Sequence, residues 1–472
     1  MTQIEKSIST VVEDNLLSVS IRVNLWLFHG VEANLRLQSR PMCIDRRNFL
    51  RASAGVAGAA MLPNFAFAYS EELETIQQRQ DVPDLIKNLR PMTKDVVPIT
   101  DDERKARIAK AQQLMGEQKI DAIYIESGTS MYYFTGMRWG QSERMFALVI
   151  PQHGDIAWVC PKFEEERARE LIKIGAADIR TWEEDESPYL RVAQIFKDRG
   201  MRSGRIGIEE RVRFFFYDGI RQAAPKLEYV SATPITAGCR MYKSPAELAL
   251  MQKANDLTII AYRATWATTR EGMTQQEFAG NCATAFRNLG VSGGIFVSFG
   301  KYTAFPHGSS KPQVLQEGDM VLMDDGCTVE GYQSDITRTF VFGKPTQRQR
   351  DVWDIERKSQ DAGFAAAKVG APCEAVDYAA RKVLTDAGFG PDYKTPGLPH
   401  RTGHGIGLDG HEWTYFVRGN KTPIQPGMCF SDEPTIVIYG EFGIRLEDCL
   451  YITSNGPKFF TEQSPSIEKP FG

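Results

Sequence analysis

Apolar residues recur at helical spacing across 104–118, where Ile108, Ala111, Leu114 and Met115 line one side of a charged stretch and predict a helix. Short, continuous apolar runs follow. The run 122–125 reads as a buried strand, and 147–150 with 156–160 flanks the turn His153-Gly154-Asp155, which predicts a hairpin. The run 163–174 reads as helical and 206–208 as a short strand. Mixed helices and strands predict an α/β domain over 93–240. Residues 69–92 are polar with little period and read as a linker or arm. A second pattern begins at Ser244-Pro245-Ala246-Glu247, a capping box with proline in the first turn, and the apolar spacing carries that helix to about residue 269. Thr274-Gln275-Gln276-Glu277 and Thr346-Gln347-Arg348-Gln349 start two more helices. Strand-like runs lie at 294–299, 320–324, 332–342, 428–431 and 444–453, so 241–472 reads as an α+β domain.

The N-terminus has a different grammar. Asp45-Arg46-Arg47-Asn48-Phe49-Leu50-Arg51 precedes a small-residue apolar stretch, 52–62, and Ala66-Phe67-Ala68 offers a cleavage triplet. That is the three-part layout of a signal peptide, and the paired arginines before Phe-Leu resemble a twin-arginine export signal. The apolar run is shorter than the roughly 18 residues a membrane span needs, so no span is expected in the mature chain. Met42 stands just ahead, so 1–41 reads as an upstream extension and 1–68 as extension plus signal. The expected destination is the periplasm or the exterior. Composition is that of a globular protein, with 42% hydrophobic and 25% charged residues, which excludes collagen-like, disordered and multi-span chains. A net charge of −4 without a long basic run argues against nucleic acid as a partner. Cys43 lies in the leader, and the other seven cysteines form no C-x-x-C pair and read as buried thiols.

The chemistry concentrates in the second half. His400, His404 and His411 fall within the glycine-rich stretch Pro399 to Glu412, and His307 lies upstream in Phe305-Pro306-His307-Gly308. Acids punctuate apolar strands. Asp324 and Asp325 end one, and Asp335 is read inside a second. Glu433 follows a third, and Arg445 with Glu447 shares one face of a fourth by the period of two. Buried carboxylates cost several kcal/mol unless paired or bound to metal. Four such acids, one from each strand, and an imidazole have two divalent cations as their natural neutraliser.

The order and spacing of these motifs resemble the pita-bread metallopeptidases: methionine aminopeptidase, Xaa-Pro aminopeptidase and Xaa-Pro dipeptidase, or prolidase. The range 241–472 is similar to that catalytic domain. The range 93–240, with Tyr132-Tyr133-Phe134-Thr135-Gly136, resembles the creatinase/prolidase N-terminal domain, which methionine aminopeptidases lack. The expected fold class is α+β, a creatinase/prolidase-type N-terminal α/β domain followed by a pita-bread catalytic domain. The resemblance implies two divalent ions, manganese first, with cobalt, iron or zinc as alternatives. It implies that Asp324 binds one, that His404 and Glu433 bind the other, and that Asp335 and Glu447 bridge them. The family's D-x-G pattern selects Asp324 over Asp325, and strand alternation turns Asp325 elsewhere. His307 and His411 match substrate-facing histidines, His400 resembles the proline-specific branch, and Arg445 orients a bridging acid or holds substrate.

The implied activity is cleavage of the X-Pro bond of small peptides by a metal-bridged hydroxide. Glu433 would move the water proton to the proline nitrogen, with His307, His400 and His411 around the reacting bond. That branch usually forms homodimers or homotetramers. The fold also hosts dimethylsulfoniopropionate lyases, small-amide hydrolases and metal-free binding proteins. The lyases carry D-x-D where this chain has Asp324-Asp325-Gly326, and the binding proteins lose ligand carboxylates that are present here. Aminopeptidase and dipeptidase remain alternatives, with Arg418 as a candidate cation for a substrate's C-terminal carboxylate.

Overall fold

A computed structural model describes residues 83–472 and, within a separate unit Met1–Gln80, a two-residue strand pair, Val12–Glu13 with Leu16–Leu17. The export signal and cleavage triplet lie outside the described residues. The unit Asp81–Gly472 carries everything that follows.

Its first part is built on a six-stranded mixed sheet. From edge to edge the strands are Ile179–Trp182, Ala157–Pro161, Ala147–Pro151, Ala122–Glu126, Arg205–Ile208 and Glu228–Ser231. The 147 and 157 strands pair antiparallel, which is the hairpin expected from the turn. Helix Asp101–Gln118 starts on Thr100, whose hydroxyl accepts from Glu103 N at 3.2 Å. Continuous apolar runs mean both sheet faces are covered. The faces sort by alternation: Ile123, Ile125, Leu148, Ile150 and Trp158 enter one core cluster, while Ala122, Tyr124, Ala147, Val149 and Val159 enter another. The expected 163–174 helix is shorter, Glu165–Leu171 after a 3-10 turn.

The first of those clusters continues without a break into the second part, through Leu250, Met251, Ala254 and Tyr262 of helix Pro245–Trp266 to Phe278, Phe286, Val321 and Met323. That helix carries the reciprocal cap expected from sequence, Ser244 Oγ accepting from Glu247 N and Glu247 Oε2 from Ser244 N. Thr346 and Gln349 cap Gln347–Ala366 in the same way. A buried ion pair seals the seam: Arg107 lies 3.5 Å from Glu247, and both bond the Tyr332 hydroxyl. Segment 83–92 docks rather than dangling. Ile86 is fully buried, and Met92 N bonds Leu289 O on helix Gln275–Leu289. The seven cysteines from Cys160 to Cys449 are buried and unpaired.

Four small antiparallel sheets complete the second part. Phe296–Phe299, Met320–Asp324 and Arg338–Val341 form one; Ser292–Gly293, Cys327–Val329 and Tyr332–Gln333 another. A five-stranded sheet runs Glu412–Phe416, Gly403–Gly405, Cys429–Asp432, Asp448–Thr453 and Gly456–Phe459, and Thr435–Ile438 pairs with Phe442–Arg445. Two strands expected as single runs are therefore broken. The run 332–342 splits at residues 334–337, and 444–453 splits at 446–447, because in each case the chain leaves one sheet and enters another. No described helix is long and apolar enough to cross a membrane.

Candidate metal centre

The breaks place the acids. Asp335 lies in the crossing between Tyr332–Gln333 and Arg338–Val341, not inside a strand. Its neighbours there are pinned: Ser334 N bonds Cys327 O, Ile336 N bonds Asp325 O, and Asp335 N meets Cys449 Sγ at 3.3 Å. Glu447 sits in the second crossing, its N bonded to Thr337 O at 3.2 Å. Glu433 occupies a third, between Cys429–Asp432 and Thr435–Ile438. Asp324 ends its strand. At such points the backbone owes no ladder bonds on both sides, so side chains are free to converge inward.

His404, read in a glycine-rich loop, is the centre of a short strand. Gly403 and Gly405 are there because a Cβ on Gly403 would stand 2.1 Å from Ser431 O, and one on Gly405 2.7 Å from Glu412 O. The two glycines let the strand press against its neighbours and aim the His404 ring inward. The ring is 1% exposed. Its Nε2 lies 3.2 Å from Glu433 Oε1 and 3.7 Å from Asp335 Oδ2, and its Nδ1 lies 3.1 Å from Gly405 O.

Asp335, His404 and Glu447 each offer a donor atom, all within 4.8 Å of one another, and Asp324, Asp325 and Asp335 do the same. Asp325 therefore does not turn away as alternation implied. It lies one residue past the strand end at φ +97°, where the period of two no longer governs direction, and it accepts from Phe296 N at 3.0 Å. Arg445 is buried, ion-paired with Asp324, and within 3.9 Å of Glu447. Thr337 had drawn no role from sequence. Its fully buried hydroxyl lies 2.7 Å from Asp324 Oδ1 and 2.6 Å from Glu447 Oε2, and it accepts from Arg445 Nε. Arg338 was equally silent. It bonds Thr337 O, Glu447 O and Asp448 Oδ1, tying two crossings together.

Three more histidines gather around this pocket. His411 stacks on His404 with ring centroids 3.8 Å apart. His400 contacts Thr435 Oγ1 at 3.1 Å. His307 is exposed on a turn whose Pro306 O accepts from Arg445, within electrostatic reach of His400 and His411. Arg418 is paired with Asp392.

Electrostatics shows what the pocket needs. Burial, then Asp324, raise Asp335 well above the carboxylate range, and burial, then Asp335 and Glu433, do the same to Glu447. Loss of water and the Asp324 charge push Asp325 up to about 6. Burial opposes ionisation of Glu433, yet His404, His400 and Arg445 hold it at about 2. Burial and the neighbouring His404 charge lower His411 to about 4. Five carboxylates thus face one guanidinium and one imidazole. Divalent cations neutralise that excess, and a set of carboxylate oxygens with one imidazole suits hard or borderline ions. The donor set fits such ions.

The profile of metallopeptidase family M24 matches residues 249–454, that of the creatinase/prolidase N-terminal domain residues 107–242, and that of the twin-arginine translocation signal residues 43–63. An uncharacterized peptidase of Schizosaccharomyces pombe is 36% identical over 391 residues, 79% of this chain and 84% of that one. The Xaa-Pro dipeptidase of Lactobacillus delbrueckii subsp. lactis is 31% identical over 76% of this chain and 97% of its own. Among solved structures, dipeptidase PepE from Mycobacterium ulcerans superposes with a TM-score of 0.73 at 30% identity, covering 79% of this chain and 99% of its own.

Proposed function

This chain belongs to metallopeptidase family M24, and from that premise we propose that it is an exported di-metal hydrolase that cleaves the X-Pro bond of small peptides. One observation carries the reading: Asp335, His404 and Glu447 converge within 4.8 Å, with Asp324 and Glu433 alongside, in a pocket with too little positive charge of its own. Asp324 would hold one ion, His404 and Glu433 the other, and Asp335 and Glu447 both. Manganese is the first choice, with cobalt, iron or zinc as alternatives. When bound, the ions supply Lewis acidity toward the scissile carbonyl and the attacking water.

The chain's own groups do the rest. Glu433 takes the proton of the attacking water and delivers it to the proline nitrogen, an imide that leaves poorly until protonated. His411 stays neutral at working pH, so it meets the reacting carbonyl through hydrogen bonding and not as a cation. His307 and His400 flank the same space and orient the peptide. Arg445 and Thr337 hold Asp324 and Glu447 in place. The working form is a homodimer or homotetramer in the periplasm or outside the cell.

Hydrolysis of Gly-Pro, Ala-Pro and Ala-Pro-Ala by the mature chain, with and without added Mn²⁺, tests the proposal. Metal-dependent release of proline or of a prolyl peptide is expected. A protein that binds metal yet cleaves none of them would sink it and bring a non-peptidase reaction forward.

A further inference from the structure

The turn that carries His411 is held from outside its own sheet. Residues 406–411 join strand Gly403–Gly405 to strand Glu412–Phe416. A regular ladder with His404 opposite Tyr415 would set Gly405 opposite Thr414, but Gly405 faces Glu412. The pairing slips at the root of the turn, so ladder bonds alone do not fix where His411 falls.

Two carboxylates bracket His411, and their partners come from the first part of the molecule. Asp409 Oδ1 accepts from the Thr129 hydroxyl at 2.7 Å and lies 3.1 Å from Arg211, while Asp409 Oδ2 accepts from Arg240 at 2.6 Å. Glu412 accepts from the same Arg240 nitrogen, from Lys243 at 3.1 Å and from Asp409 N at 3.0 Å. Thr129 opens helix Thr129–Thr135, Arg211 follows strand Arg205–Ile208, and Arg240 ends helix Thr233–Arg240. All three belong to the part built on the six-stranded sheet, and Lys243 lies in the link that leaves it. Among the described residues, neither acid has an ion-pair partner from beyond residue 243.

Arg240, Lys243 and Glu412 are buried. Burial opposes ionisation of Glu412, yet Arg240 and Lys243 hold its carboxyl at about 2, so the bridge stays charged. Gly407 makes room for it: a Cβ there would stand 2.7 Å from Lys243 Cε and 2.8 Å from Glu412 Oε2. Charge-assisted bonds of this kind fix geometry as well as adding attraction. The His411 ring is placed by its stack on His404, with centroids 3.8 Å apart, and by the backbone between these two acids.

We propose that Asp409, clamped by Thr129, Arg211 and Arg240, is a positioning residue for His411, so that the N-terminal part of the molecule sets where this substrate-facing histidine stands. This rests on the X-Pro reading above, in which His411 meets the reacting carbonyl.

The test is a double-mutant cycle on Ala-Pro hydrolysis by the Mn²⁺-loaded chain. Asp409→Asn keeps the shape but turns an amide N–H toward Arg240, or toward Thr129 and Arg211. A misplaced ring should lower kcat roughly 10- to 100-fold. KM and Mn²⁺ affinity should change little. In the His411→Ala background the same substitution should cost little further, because the group it acts through is gone. Thr129→Val removes one hydroxyl outside the turn and should show the same pattern more weakly, which keeps the test open if Asp409→Asn folds poorly. A second reading needs no turnover. In the Zn²⁺-loaded chain labelled on histidine, the His411 ring resonance is identified by its loss in His411→Ala. It should move in Asp409→Asn while that of His307 stays. A full Asp409→Asn penalty on top of His411→Ala, native kcat in both variants, or an unmoved His411 resonance overturns the proposal and leaves X-Pro hydrolysis standing. If no X-Pro bond is cleaved at all, the functional reading fails separately, and the His411 resonance still decides whether the clamp places the ring.

Discussion

The acids at the pocket are set against one another, and that has a measurable consequence. Asp335 and Glu447 are raised well above the usual range by burial first, and then by neighbouring acids, Asp324 beside Asp335 and Asp335 beside Glu447. A carboxyl raised in the folded state binds more protons folded than unfolded, so stability falls as pH rises through the window. His400 and His411 are lowered by burial and act oppositely, but only below about pH 6.5, where the unfolded rings charge. Above that pH the acids are left to dominate. The metal-stripped protein should therefore lose thermal stability as pH rises above about 6.5, and Mn²⁺ should restore more Tm at higher pH than at lower. Equal metal-induced shifts at lower and higher pH would contradict this charge balance. The same pocket makes Thr337 testable. Thr337→Val removes one buried hydroxyl at nearly constant shape, and the loss of an outer partner typically costs 10- to 100-fold, roughly, in metal affinity. Titration of Mn²⁺ into the stripped variant measures it; an unaltered affinity would mean the hydroxyl orients nothing. Thr337 carries no signal of its own in sequence, where it reads as one of two threonines in the apolar run 332–342. Asp324, Glu433 and His404 were legible because each interrupts an apolar or glycine-rich run with a group that costs energy to bury.

At the scale of elements, what could be read locally was read. The caps at Ser244 and Thr346 are local chemistry, four residues long, and the structure contains both. The sheet crossings at 334–337 and 446–447 are not local. Both flanks are apolar and buried, so alternation continues across the break, and only the partner strands reveal it. Three of the acids sit on such crossings, which is why their residue types were plain and their backbone setting was not. Asp325 shows the same limit on a single residue, since alternation stops at the strand end just before it. The strand Gly403–Gly405 also depends on distant partners, and it yields a sharp expectation. Gly403→Ala places a methyl group against Ser431 O, and overpacking of this kind costs about 1–3 kcal/mol. The strand must shift away from Cys429–Asp432, taking His404 with it. Reduced Tm together with weakened Mn²⁺ binding is expected. A variant with lowered Tm and native Mn²⁺ affinity would show that the glycine serves packing alone.

For the whole molecule, folding and export have to be reconciled. A single apolar cluster runs from the N-terminal sheet through helix Pro245–Trp266 to the strands beneath the pocket, so the two parts bury their surface together. The pocket's acids gain their setting only when four small sheets have met. A chain of this kind has most to gain from crossing a membrane already folded, with its ions in place, and the twin-arginine route carries folded proteins. Residues 43–63 match a twin-arginine translocation signal, and on that reading the leader would act as an address whose paired arginines are recognised. Replacing Arg46 and Arg47 together by lysine keeps the charge and removes the pair. The doubly substituted chain should fold, bind Mn²⁺ and accumulate in the cytoplasm with residues before Ala68 still attached, while the native chain appears outside the inner membrane, cut after Ala68. Cell fractionation with mass measurement of the N-terminus distinguishes the two. Export and cutting of the lysine chain at the native rate would remove Arg46-Arg47 from the signal. A native chain that leaves the cell without metal and acquires it only afterwards would show that the route was not chosen for loading.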